Sequence, residues 1–149
     1  MLLKKVYSNE LGIDLDSGDE TECFKWFLAC LLFGKPIQQE IAKRAFLELG
    51  QAGITSPNAL LETGWNKLVE ILDEAHYVRY DFSTATKLLD ISEDLNKKYG
   101  SFGALLKQCS STTQLSKRLQ ELKGVGPKTA EIFLRDMTPV LEKQWGYAT

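Results

Sequence analysis

The sequence predicts an all-helical fold. Apolar residues recur at helical spacing almost throughout, and no stretch alternates strictly enough to make a strand. Glycine, proline or a capping side chain stands at the ends of the periodic segments, where helices start and stop.

The elements follow in order. After a polar lead with turn signals at "DSGDE", residues Glu20 to Phe33 form a strongly apolar first helix that Gly34 ends. Pro36 suits the first turn of a second helix, whose Ile37, Ile41, Ala45 and Leu49 make one stripe before Gly50 closes it. Ser56 and Pro57 are a cap and first-turn pair for a short helix, Asn58 to Glu62. Trp65, Leu68, Val69 and Leu72 mark another, ending before "HYVRYD". Asp81 or Ser83 caps the longest run, with Ala85, Leu88, Leu89, Ile91 and Leu95 on its face, and it stops at "KKYG". Ser110 to Thr113 opens "QLSKRLQEL", and a glycine turn leads to "KTAEIFLRDM". Thr138 and Pro139 then restart a short helix ending near Trp145.

Composition bounds the rest. At 149 residues the chain is expected to be one domain, and 44% hydrophobic with 26% charged residues is an ordinary soluble balance. The longest apolar run, Trp26 to Phe33, is too short to span a bilayer. Lys4 and Lys5 follow Met1 and Leu2, but no apolar stretch with a cleavage site comes after them, so no secretory signal is expected and the default location is the cytoplasm. Cys23, Cys30 and Cys109 make no metal-ligand pattern, and His76 is the single histidine, so buried reduced thiols are expected and no cysteine-held metal.

Net charge is −2, but its distribution is uneven. Residues 1–30 carry three lysines against six acids, a balance of −3, while residues 101–130 carry five cations against Glu121 alone, a balance of +4. Local field decides whether one face meets a polyanion. The positive segment contains "LKGVGPKTAEIFLRD", Leu122 to Asp136. Gly124 and Gly126 allow a tight turn, and Pro127 belongs at a helix start because its missing N–H is orphaned there anyway. Free N–H groups and the positive end of the helix dipole then face whatever lies beyond the turn, which favours an anion. Lys123 and Lys128 add charge there.

Taken whole, "LKGVGPKTA" resembles the helix-hairpin-helix of the endonuclease III-like DNA glycosylase superfamily, with its leucine, Gly-x-Gly hairpin and Lys-Thr-Ala helix start in that order. The stretch "FKWFLACLLFGKPIQQEIAKRAFLEL" looks like that family's early pair of core helices, and the resemblance covers roughly residues 20–137. It implies a helical barrel of about six helices with a helix-hairpin-helix motif, plus a short C-terminal helix. It further implies a role in base-excision repair on double-stranded DNA, damaged or abasic, and in a prokaryote association with the nucleoid. In the family the hairpin N–H groups hold a DNA phosphate, often with a monovalent cation. Carried over, Lys123, Gly124, Val125, Gly126, Lys128 and Thr129 are expected to bind DNA, and the backbone of Gly124 and Gly126 to hold the cation.

In bifunctional members the lysine after the hairpin attacks the deoxyribose carbon and forms a Schiff base, and Lys128 stands at that position. The alternative is a lysine that only binds phosphate. The family's catalytic aspartate lies roughly eighteen residues beyond, where this chain has Gly146; the last acid is Glu142. Asp136 lies on the hairpin's own helix and is no substitute. The four-cysteine iron–sulfur loop is absent, so no cluster is expected. Where an endonuclease III-type enzyme has a glutamine that fills the gap left by an extruded base, this chain offers Gly34, Lys35 and Pro36, and Lys35 is expected to reach a phosphate or the vacated stack. In "HYVRYD", Tyr77 and Tyr80 are candidates to stack on a displaced base and Arg79 to hold a phosphate, against the alternative that the tyrosines pack the barrel. Trp145 and Tyr147 either close the domain or cover a partner chain. The other class of function left open is a non-catalytic DNA-binding or scaffold member, with the acidic amino-terminal segment contacting a protein partner or a second copy.

Overall fold

A computed structural model describes residues 8–148, and the Met1–Lys5 stretch read for a leader lies outside them. The described chain is all-helical, without a strand. Two 3-10 turns, Ser8–Leu11 and Leu15–Ser17, precede eight helices: α1 (Glu20–Phe33), α2 (Gln39–Gln51), α3 (Pro57–Thr63), α4 (Trp65–Glu74), α5 (Asp81–Tyr99), α6 (Phe102–Gln108), α7 (Thr112–Glu121) and α8 (Pro127–Gln144).

Helix α1 is the central rod. Nine consecutive or near-consecutive side chains from Cys23 to Leu32 are buried, so α1 is apolar nearly all round, as a helix wrapped by others must be. It packs on α2, α6 and α8. Phe24 and Phe27 meet Phe102 of α6 and Phe133 of α8 in an aromatic cluster with centroids 5.2–5.9 Å apart across helices. The buried Trp26 indole donates to the carbonyl of Phe133 at 3.2 Å, which fixes α8 against α1.

Local chemistry sets most boundaries. Asp19, Ser56, Ser101 and Ser111 each accept a backbone N–H from the first turn of α1, α3, α6 and α7. Four expectations from the sequence are corrected. Pro36 does not open α2: Ile37 donates to the carbonyl of Lys35 at 2.8 Å, so Pro36 is the corner of a tight turn and α2 begins three residues later. Neither Asp81 nor Ser83 caps α5, whose N-cap is Tyr80 without a side-chain bond. Helix α6 is absent from the sequence-based order of elements; Gly103 inside "FGALLKQ" argues against it locally, but Phe102, Leu105 and Leu106 on either side of it are buried, and that packing holds the helix.

The fourth correction concerns the carboxyl end. Helix α8 runs unbroken through Pro139 to Gln144, so there is no separate C-terminal helix. Proline removes one hydrogen bond to residue 135, but Met137, Val140 and Leu141 on both sides of it are buried and hold the helix together. Beyond it the Tyr147 hydroxyl donates to the Leu106 carbonyl at 2.7 Å and the Ala148 N–H to that of Ser110 at 2.9 Å. Trp145 packs on the same core, so both aromatic residues close this chain's own fold.

Candidate nucleic-acid interface

The hairpin joins α7 to α8 through Leu122–Gly126. Leu122 and Val125 are buried and anchor the turn from within. Gly124 has φ +91°, the left-handed region that favours glycine. The Val125 N–H donates to the Leu122 carbonyl at 3.1 Å and closes the turn, so, contrary to expectation, it is not available to a ligand. Gly126 is the N-cap of α8 at an ordinary φ of −97°, and its carbonyl accepts from Ala130 at 3.2 Å. A side chain at Gly126 would meet nothing within 4 Å. The fold therefore supplies neither a backbone nor a packing reason for glycine at 126, whereas close approach by another surface would.

Pro127 lacks an N–H, and the N–H groups of Lys128 and Thr129 lie in the first turn of α8, where no intrahelical acceptor exists. Lys128 is exposed and has no ion-pair partner among the described residues. The Thr129 side chain is a second correction to the expected DNA contacts: it is 5% exposed, and its hydroxyl fills the space that a side chain on Gly34 would need, 2.8 Å from that position. Only its N–H remains on the hairpin side.

Three turns meet at this helix start. The corner after α1 touches α8 through the Gly34–Thr129 contact, and its Lys35 Nζ lies 5.4 Å from the centroid of the Tyr80 ring. The Arg79 guanidinium also lies 5.4 Å from that centroid. Tyr80 therefore carries two cations, an attraction that the ring quadrupole supplies. From α5, the stem of Lys87 crosses Gly124, with Cγ 3.1 Å from where a side chain there would begin. Burial and the neighbouring charge of Lys35 both push the Lys87 ammonium below its ordinary pKa. No acid pairs with Lys35, Arg79 or Lys87 among the described residues. Lys87 is not among the residues that the sequence marks out, because a lysine inside "ATKLLD" carries no local sign of which turn it will cross.

The other flank differs. Lys123 Nζ sits 3.6 Å from Asp90 Oδ2, and its backbone N–H donates to Asp94 Oδ2 at 3.3 Å. The charge expected from Lys123 is thus offset.

Tyr77 is the clearest correction. It is fully buried and its hydroxyl donates to the Leu32 carbonyl at 2.6 Å, so it cannot stack on a base in this conformation. Burial pushes its pKa up to about 12, keeping it a donor throughout the physiological range. The turn that buries it is a Schellman closure of α4: Tyr77 N–H bonds to the Leu72 carbonyl at 2.9 Å, with His76 left-handed at φ 67°. Nearby, the Asp81 carboxyl raises the pKa of Asp73 from its ordinary value.

Asp136 is committed elsewhere, as one carboxylate oxygen accepts the Ser8 N–H at 2.8 Å and the other the Arg135 Nε at 2.8 Å. Gly146, at the position of the family's aspartate, is a left-handed turn residue with φ 73°. Among the described residues no group of three or more His, Cys, Asp or Glu could hold a metal ion, and the three cysteines are buried and unbonded to one another. Of the two backbone positions expected to hold a cation, Gly124 and Gly126, the Gly126 carbonyl accepts one N–H and keeps a second lone pair. No described helix is long and apolar enough to cross a membrane. Comparison with known proteins returns no matching family model, no matching curated protein and no matching solved structure.

Proposed function

We propose that this chain is a helix-hairpin-helix DNA-binding protein of base-excision repair, similar to the DNA glycosylases and abasic-site lyases, that grips the backbone of duplex DNA at the start of α8. The observation that carries the reading is Gly126. It opens α8 at an ordinary φ with open space before it, beside the free first-turn N–H groups and exposed Lys128. A phosphate drawn by the helix dipole fits that approach and needs no side chain in its way. A monovalent cation, if bound, would be held by the backbone of Gly124 and Gly126 and would add positive charge for a phosphate. Lys128 is the candidate amine for Schiff-base chemistry on an abasic sugar, in which the amine nitrogen adds to the ring-opened aldehyde carbon and water leaves.

Gly126→Ser provides the test. Serine is a good N-cap, so stability is expected to hold or rise slightly, while the added side chain fills the approach and salt-dependent binding to duplex DNA falls. Undiminished binding by Gly126→Ser would remove the hairpin from the interface. Borohydride trapping on a duplex with one abasic site, with Lys128→Ala alongside, then decides the chemistry: an adduct absent from the variant makes Lys128 the nucleophile.

The engagement of Asp136 by Ser8 and Arg135, with Gly146 in place of the family's acid, favours a second reading, a DNA-binding or scaffold protein without lyase chemistry. Duplex binding with no trapped adduct is its expected signature.

A further inference from the structure

We propose that Lys35 and Lys87 form a second phosphate clamp, which holds the DNA backbone at a phosphate distinct from the one taken by the hairpin. The inference rests on the DNA-binding reading above and adds to it a site outside the helix-hairpin-helix motif.

Two cations border the start of α8, each held by packing on a group that is not its counter-ion. The Lys87 stem lies over Gly124 and is half buried, and the Lys35 ammonium lies against the Tyr80 ring. Lys35 follows Gly34, which touches Thr129, and Lys87 crosses Gly124, so both cations flank the hairpin and the start of α8. Arg79, also against Tyr80, adds a third cation. Most lysines elsewhere that approach an acid do so within one turn of their own helix, as Lys25, Lys43, Lys67 and Lys98 do. Here α5 and the α1–α2 corner bring cations together with no acid paired to them among the described residues. Such a pair costs the free protein energy, and an anion between the two ammonium groups returns it. The ligand chemistry that fits is a phosphate carrying full charge with oxygens on more than one side. A continuous DNA strand already fixed at the hairpin would present its next phosphates to this flank.

The test measures duplex affinity against salt for the full chain, with thermal melts of the same samples. Freeing one neutralised phosphate should flatten the log–log salt slope by about 0.9, so Lys35→Gln with Lys87→Met, which removes both arms of the clamp, should flatten it by about 0.9. The control is Lys143→Gln, fifteen residues along α8 from Lys128 and therefore about 22 Å away; it should leave the slope unchanged. The melt separates a clamp from a packing role. Relieving the repulsion should leave the midpoint of Lys87→Met unchanged or raised, whereas a lysine that only packs would lower it.

A slope unchanged in the double variant, with wild-type binding intact, overturns the clamp and leaves the hairpin reading standing. No duplex binding by the wild type at low salt overturns both. Inorganic pyrophosphate serves as the small-anion probe: if it binds the wild type more tightly than duplex does and loses that binding in the double variant, the pair serves a free phosphate and the clamp is overturned. Should Lys87→Met fail to fold, Lys35→Gln combined with Lys87→Gln reads the same quantity, a flattening by about 0.9 in support or none against.

Discussion

Residues 123 and 124 are neighbours in the hairpin, yet they meet opposite surroundings on the same helix. The Lys123 ammonium pairs with Asp90 of α5 and its backbone N–H bonds to Asp94, while Gly124 lies under Lys87 of α5, which has no acid paired to it among the described residues. One turn of α5 separates a compensated flank from an uncompensated one. The sum of charge over a segment therefore does not locate a binding face. The +4 balance of residues 101–130 includes Lys123, whose charge is offset, and misses Lys35, Arg79 and Lys87, the unpaired cations that join Lys128 from outside that segment.

The contrast can be broken most severely from beneath. Tyr77→Phe leaves the Leu32 carbonyl at the end of α1 buried without its donor, and is expected to cost about 1–3 kcal/mol in chemical denaturation. Because that carbonyl lies just before the corner carrying Lys35, duplex binding should fall only as far as the folded fraction does.

Gly124→Ala attacks the boundary between the flanks. Its positive φ should cost about 1–2 kcal/mol, and the new methyl group displaces the Lys87 stem, so affinity should drop more than stability alone explains. Binding measured well below the melting temperature checks this.

Asp90→Asn sharpens the comparison in the other direction. An exposed pair contributes below about 1 kcal/mol, so the melt should barely move. Lys123 is freed, however, and the salt slope of duplex binding should steepen by up to about 0.9.

The smallest effect is on pH. The folded pKa of Lys87 lies below its unfolded value near 10.5, so between the two the unfolded chain binds more protons. Stability should therefore rise with pH across that window in the wild type relative to Lys87→Met. Parallel curves for the two proteins would show that Lys87 is not perturbed.

Much of this architecture is legible in the sequence. The bounds of α1, the Ser56 cap of α3 and the stripe of α4 depend on residues within a turn or two of each other, and local chemistry reports them. What the sequence hides is decided at long range. Gly103 reads as a helix breaker until the burial of Phe102, Leu105 and Leu106 is seen, and Pro139 reads as a helix start until its buried neighbours are considered. Tyr77 and Tyr80 have the same chemistry in the same short segment, and only the Schellman turn at His76 sends one inward to Leu32 and leaves the other between Lys35 and Arg79. The hairpin is legible because its glycines and proline act locally. Its partner Lys87 is not, because an approach from α5 to the hairpin leaves no trace in spacing.

The fit of bare Gly34 against Thr129 bears on how the site is assembled. An excised α7–α8 peptide would contain the whole glycine turn, yet it would lack the corner that orients the start of α8 and every cation that converges on Tyr80. The proposed recognition surface is thus a property of the finished fold. During folding it is complete only after the chain's first helix has docked on its last.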